Sequence, residues 1–327
     1  MLSDLLFVLN GVVPIFAVMA VGYLLRRKDF LTEGFTAVAD KLVFRLLLPA
    51  FLYTKVAAID RSQFGAGDVK LVGFALTAVL VITFGTFAVS SVFIKEKAVR
   101  GAFVQAVYRS NTAILGVPFA ENLFGTEGAK AAAVLLAFIV PLYNVLAVII
   151  LTLCDPTREK GQGKGALCKQ ITSVLKGIVT NPLIIAIALA LCMTFADLTL
   201  PAILDKTVGC FAGASTPIAL LALGAGFRFG DLRGRVVLTA VATALKLVVF
   251  PYAAVVFAAL LGFSGPSLGA LFIIFGTPCA VSSYIMAKNM HSDYVLAGQV
   301  AVMTMLFSAF TVTLGSFLLY TLGFVAR

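Results

Sequence analysis

The sequence predicts an all-α membrane protein of ten transmembrane helices, arranged as two inverted five-helix repeats in which the fourth and ninth helices are broken. Three observations lead there. Of 327 residues, 61% are hydrophobic and 12% charged, against about 45–50% and about 25% in soluble domains, and the mean hydropathy is +1.06. Ten apolar runs, each bounded by charge or by Gly/Pro/Ser clusters, divide five and five about a hydrophilic connector. The fourth and ninth runs each carry a proline close to glycine and small polar residues.

A chain this apolar has too little polar surface to cover a water-soluble globule. The runs are 5–25, 35–57, 70–93, 100–122, 129–153, 171–195, 203–226, 236–261, 267–288 and 294–323. A spanning helix needs about 20 apolar residues, so ten of them leave no room for a sizeable soluble domain. Residues 1–4 lack a basic segment and the first run is as long as a full span, so it reads as a retained helix. The halves are residues 1–153 and 171–327. The linker 154–170, with Pro156, three glycines and four basic residues, reads as cytoplasmic. Connectors on that side carry 14 Lys and Arg, and the opposite side carries six: Lys55, Arg61, Lys70, Lys130, Lys206 and Arg327. Basic residues in short loops stay in the cytoplasm, which places both termini on the non-cytoplasmic side of the cell (inner) membrane. Topology and contact with anionic membrane lipids account for the net charge of +10, with no nucleic acid required.

Five helices per half is odd, so homologous halves insert in opposite senses, a recurring plan of secondary transporters. The prolines match it: Pro14 and Pro182, and Pro49 and Pro217, are offset by 168, and Pro118 and Pro278 by 160. Each pair falls in corresponding runs. Proline inside a helix removes a hydrogen bond and clashes with the preceding turn. With Gly116 and Gly276 adding freedom, breaks are expected at Pro118 and Pro278. Broken backbone at membrane depth must face protein or a wet cavity. The freed N–H groups near Phe119 and Ala120, and near Cys279 and Val281, would converge on one centre suited to an anion. Packing kinks are the alternative, and two breaks in corresponding runs favour the site. Asn111, about two turns before Pro118, either lends polar groups to the crossing or glues helices together. Ser282 and Ser283 either bind solute or bond back to their own carbonyls.

Ionisable residues inside spans are costly and mark function by default. Asp40, Lys41 and Arg45 lie near the cytoplasmic interface, where snorkelling or a local ion pair accounts for them. Arg109 and Lys246 lie deeper and either attract an anion or neutralise carbonyl ends. No deep Asp pair is present, so the intramembrane charge favours an anionic solute over a cation. With one histidine, His291, no H-E-x-x-H motif can form, and neither G-x-S-x-G nor a Walker loop occurs. The five cysteines form no C-x-x-C pair, which argues against a disulfide framework or a metal site. No catalytic residues, cofactor or metal are expected. The glycine pairs Gly209/Gly213 and Gly224/Gly226 read as close packing.

Several segments together resemble the auxin efflux carrier family of membrane transporters. They are Leu46-Leu47-Leu48-Pro49, Arg109-Ser110-Asn111 with Gly116-Val117-Pro118, Pro141-Leu142-Tyr143-Asn144, Asn181-Pro182-Leu183-Ile184-Ile185, Thr216-Pro217-Ile218-Ala219-Leu220-Leu221 with Gly224, and Gly276-Thr277-Pro278 continuing to Ala287. Their order and spacing carry the likeness over nearly the whole chain. The resemblance implies a fold like those of sodium/proton antiporters and bile-acid transporters. It implies a scaffold of helices 1, 2, 6 and 7, and a transport domain of helices 3–5 and 8–10 with helices 4 and 9 crossing at their prolines. It also implies a homodimer that moves organic anions by an elevator displacement. By position, Asn111, Pro118 and Pro278 match the crossing, with Asn144 as a neighbour. The 17-residue central loop is short beside that of the long-loop plant exporters and matches the bacterial type. The expected function is a secondary transporter of a small organic anion, a carboxylate. A passive channel and a membrane solute sensor are the alternatives.

Overall fold

A computed structural model describes residues 14, 17–57, 66–157, 179–196, 198–226 and 235–325. Helix falls in each of the ten apolar runs, and no strand occurs among the described residues. Residues 17–27 form α1. α2 covers 33–57 and is built from Glu33–Leu42, a π-turn at Val43–Leu47, and Leu48–Ala57. α3 is Ala66–Phe93 and α4 is Lys97–Tyr108. α5 is Val117–Leu153, preceded by a π-turn at Thr112–Gly116. α6 is Pro182–Phe195 and α7 is Ala202–Gly226. α8 is Val236–Leu260, with a π-turn at Leu245–Val249. α9 is Gly265–Gly276, α10 is Ser282–Asn289 and α11 is Tyr294–Thr321. Among the described residues five helices are long and apolar enough to cross a membrane: Gly67–Phe93, Val117–Leu153, Ala202–Gly226, Val236–Leu260 and Tyr294–Thr321. Most of the linker 154–170, the start of the sixth run and the loop cations Arg61, Arg158, Lys160, Lys164, Lys169, Arg228, Arg233 and Arg327 lie outside the described residues.

The prolines act in two ways. In three helices a π-turn ends two residues before a proline: Val43–Leu47 before Pro49, Thr112–Gly116 before Pro118, and Leu245–Val249 before Pro251. Proline brings no N–H and its ring collides with the carbonyl four residues back. Widening the ladder by one residue moves that carbonyl aside, and the helix continues. The expected break at Pro118 is therefore corrected. Pro118 is the exposed second residue of α5, and the chain is helical from Thr112 to a kink at Gly125. Gly125 has φ 68° and ψ −167°, a conformation open essentially to glycine alone, and it divides the fourth run from the fifth.

The break in the fourth run instead lies at Arg109, Ser110 and Asn111, between α4 and the π-turn. Arg109 is extended, with φ −86° and ψ 113°. In the ninth run the break does fall at the proline. A residue before proline is driven out of the helical region, and Thr277 has φ −64° and ψ 149°. The two unwound segments cross and pair in an antiparallel bridge between Ser110 and Cys279. The Asn111 N–H donates to the Pro278 carbonyl at 2.7 Å, and the Ala280 N–H to the Arg109 carbonyl at 3.3 Å. A third donor, the Cys279 N–H, reaches the Thr304 hydroxyl of α11 at 3.0 Å. Buried backbone groups must find partners, and each break supplies partners for the other.

Around the crossing, α5 is the central helix, with 67% of its most apolar window buried, while α3 at 28% lies at the periphery. α2 packs on α6 and α7, α5 on α9, and α4 and α8 on α11. At Gly224 an added Cβ would run into the Met19 carbonyl of α1, and at Gly226 into the Tyr284 hydroxyl of α10. Those two glycines permit close approach as expected. Gly209 and Gly213 have nothing within 4 Å among the described residues.

Candidate functional site

A cavity of about 60 Å3 opens beside the crossing. Arg109, Ser110, Asn111 and Thr112 line one side, and Ala280, Val281 and Ser282 another. α5 adds Val140, Tyr143 and Asn144, and α7 adds Ser215, Thr216 and Ala219. The remaining wall is the apolar face of α2: Val43, Leu48, Phe51 and Leu52. The helical stretch that starts at Thr112 and α10, which starts at Ser282, both present their N-terminal ends to this space. Such ends carry partial positive charge. One water needs about 10–15 Å3, so the cavity as it stands takes a few waters or a carboxylate head.

Arg109 is 3% exposed. Its Nη2 donates to Asn144 Oδ1 at 2.7 Å and its Nη1 to the Met286 thioether at 2.6 Å. Asn144 in turn donates from Nδ2 to the Val140 carbonyl at 2.7 Å, which fixes its oxygen toward the guanidinium. Among the described residues no carboxylate pairs with Arg109. Asn111 spends its backbone N–H on the crossing, and its side-chain Nδ2 is buried without a hydrogen-bond partner, as is the Thr112 hydroxyl. Among the described residues the site therefore presents the Arg109 cation, an unsatisfied amide donor, a hydroxyl and two helix N-termini.

A family model described as a membrane transport protein matches residues 7–315. The chain belongs to this family, the auxin efflux carriers. Uncharacterized transporter YfdV of Escherichia coli K12 is 23% identical over 290 residues, covering 87% of this chain and 89% of that one. An uncharacterized transporter of Methanocaldococcus jannaschii is 21% identical over 316 residues, covering 95% and 98%. The protein is thus an integral membrane protein of a transporter family.

The crossover of this carrier gathers some of the expected residues and leaves others aside. Arg109, Asn111, Asn144 and Ser282 line the cavity, and the Pro278 carbonyl is a partner in the crossing itself. Gly116 sits in the π-turn and does not line the cavity, and an added Cβ there would make only ordinary contact with Thr112 and Ile274. Pro118 is outside the cavity. Ser283 is fully buried and does not line the cavity. Lys246 does not line the cavity. Its ammonium donates to the Phe275 carbonyl at 2.8 Å and to the Ser110 hydroxyl, capping the end of α9 and stitching it to the first break. Asp40 forms an ion pair with Lys288, whereas Lys41 and Arg45 are exposed. The α2 wall and Ser215 carried no chemical signal in the sequence. Thr216 lay in the Thr216-Pro217 segment that marks the family, and Ser110 beside the two residues singled out.

Proposed function

We propose that this carrier is a secondary transporter of a small organic anion, with the carboxylate held in the cavity by Arg109 and Asn111 between the two helix N-termini. One observation carries the reading: Arg109, buried and without a carboxylate partner among the described residues, lines the same cavity as the unsatisfied Asn111 amide donor. An arginine at membrane depth costs about 2.5–3.5 kcal/mol even on the mildest scale, and an anionic solute offsets that cost on binding. The position of the breaks supports two inverted repeats. Ser110 and Cys279, the bridged pair, are 169 residues apart, close to the 168 that separates Pro14 from Pro182 and Pro49 from Pro217. On this reading all ten runs span the cell (inner) membrane with both termini outside, anionic lipids contact the basic cytoplasmic loops, and the carrier works as a homodimer. α1, α2, α6 and α7 form a scaffold past which the remaining helices move, elevator fashion, carrying the crossing with them. No catalysis, cofactor or metal enters this mechanism.

Asn111→Ala tests it, because the backbone N–H that holds the crossing survives the substitution. In proteoliposomes, current evoked by small carboxylates is expected to saturate in the parent and to vanish in the variant, with the variant still monodisperse in detergent. Unchanged affinity in Asn111→Ala removes this side chain from the site. Flux that never saturates in the parent would replace the carrier with a channel.

A further inference from the structure

The α10 half-helix has the cavity at one end and a charge pair at the other. Ser282, its first residue, lines the cavity. At its far end Lys288 reaches across to Asp40 on α2 in an ion pair, and Asp40 is 2% exposed. Lys288 also donates to the Tyr284 hydroxyl at 3.2 Å, and its ammonium lies 5.5 Å from the Tyr284 ring and 5.3 Å from the Tyr294 ring. The next residue, Asn289, donates from Nδ2 to the Asp40 backbone carbonyl at 3.4 Å. Tyr284 itself stands against Gly226 at the end of α7. Two of the helices assigned to the scaffold therefore contact one short helix of the moving group, α7 through Tyr284 in its first turn and α2 through Lys288 and Asn289 at its C-terminal end.

Eight residues at about 1.5 Å per residue make α10 about 12 Å long, so it acts as a rigid rod. What holds its C-terminal end against α2 also sets the position of Ala280, Val281 and Ser282 against the α2 wall of the cavity. A buried carboxylate stripped of its partner is strongly unfavourable, so the pair either holds as a unit or parts as α10 leaves α2. We propose that Asp40 and Lys288 are positioning residues that latch α10 to α2 on the side of the loop between α10 and α11, and that the carrier changes conformation by parting this pair. The proposal rests on the elevator reading for its meaning in transport. The latch itself is a statement about two helices and is measurable without any solute.

Spin labels placed at the exposed positions Arg45→Cys and His291→Cys, with Cys168, Cys192 and Cys210 replaced by Ala, report the separation of α2 from the end of α10. The parent is expected to give one dominant short distance. Asp40→Asn, and independently Lys288→Met, which keeps the stem over the Tyr284 ring, are each expected to raise a longer-distance population several-fold. Reconstituted Lys288→Met should also change maximal flux by more than it changes the half-saturating concentration, since the cavity residues are intact. An unaltered distance distribution in both variants overturns the latch. If no carboxylate moves in the parent while the variants still lengthen the distance, the carboxylate reading fails and the latch stands.

Discussion

Arg109→Gln is the perturbation that bears most directly on the site. Arg109 lines a cavity too small to hold an anion far from it, so a bound carboxylate is expected within about 4–6 Å of the charge. At an effective dielectric of about 20 that pair is worth about 3–4 kcal/mol. At about 1.4 kcal/mol per tenfold, losing it weakens anion affinity by about 100–1,000-fold. The substituted glutamine retains an amide donor, so the difference reads chiefly the charge. Arg109→Lys keeps the charge but cannot reach Asn144 Oδ1 and Met286 Sδ together, as the planar fork does. Loss of one charge-assisted hydrogen bond at about 1.5–3 kcal/mol places this variant at about tenfold to a hundredfold weaker. Titration of purified protein with small carboxylates, read as a thermal shift, gives both numbers, and proteoliposome currents give the matching flux. Arg109→Gln within about threefold of the parent, under about 1 kcal/mol, would refute the argument that the buried charge recognises the solute.

Two further outcomes follow from contacts outside the cavity. Lys246→Met leaves the Phe275 carbonyl and the Ser110 hydroxyl without their shared donor, at about 1–3 kcal/mol for each group. The variant should unfold several degrees below the parent, and equal stability would show that the ammonium does not staple the crossing. Gly224→Ala drives a methyl into the Met19 carbonyl, an overpacking that costs about 1–3 kcal/mol. Gly213→Ala, with nothing within 4 Å, is the matched control and should unfold at or above the parent's temperature.

The membrane class and the family were legible along the chain because hydropathy is a local, additive property: each run declares its own preference for lipid whatever it packs against. The break at Pro278 was legible for the same reason, since a proline restricts the residue before it wherever the helix lies. Pro118 was misread because the sequence states that a hydrogen bond is lost there and says nothing of how the loss is absorbed. A π-turn absorbs it locally, while the chain unwinds at Arg109, Ser110 and Asn111, where the segment from Pro278 to Ala280 supplies the missing partners. Lys246 gave the same ambiguity, an intramembrane charge with two possible duties, and its partner, the Phe275 carbonyl, comes from a segment 29 residues away. Asp40 and Lys288 lie 248 positions apart, and no pattern along the chain pairs them. Hydropathy and the order of motifs along the chain are enough to identify the solvent this protein lives in, the number of its apolar runs and its kinship. The tertiary structure alone decided where the helices open and which charges meet, because unpaired backbone groups and buried ions are settled by partners that distant segments bring.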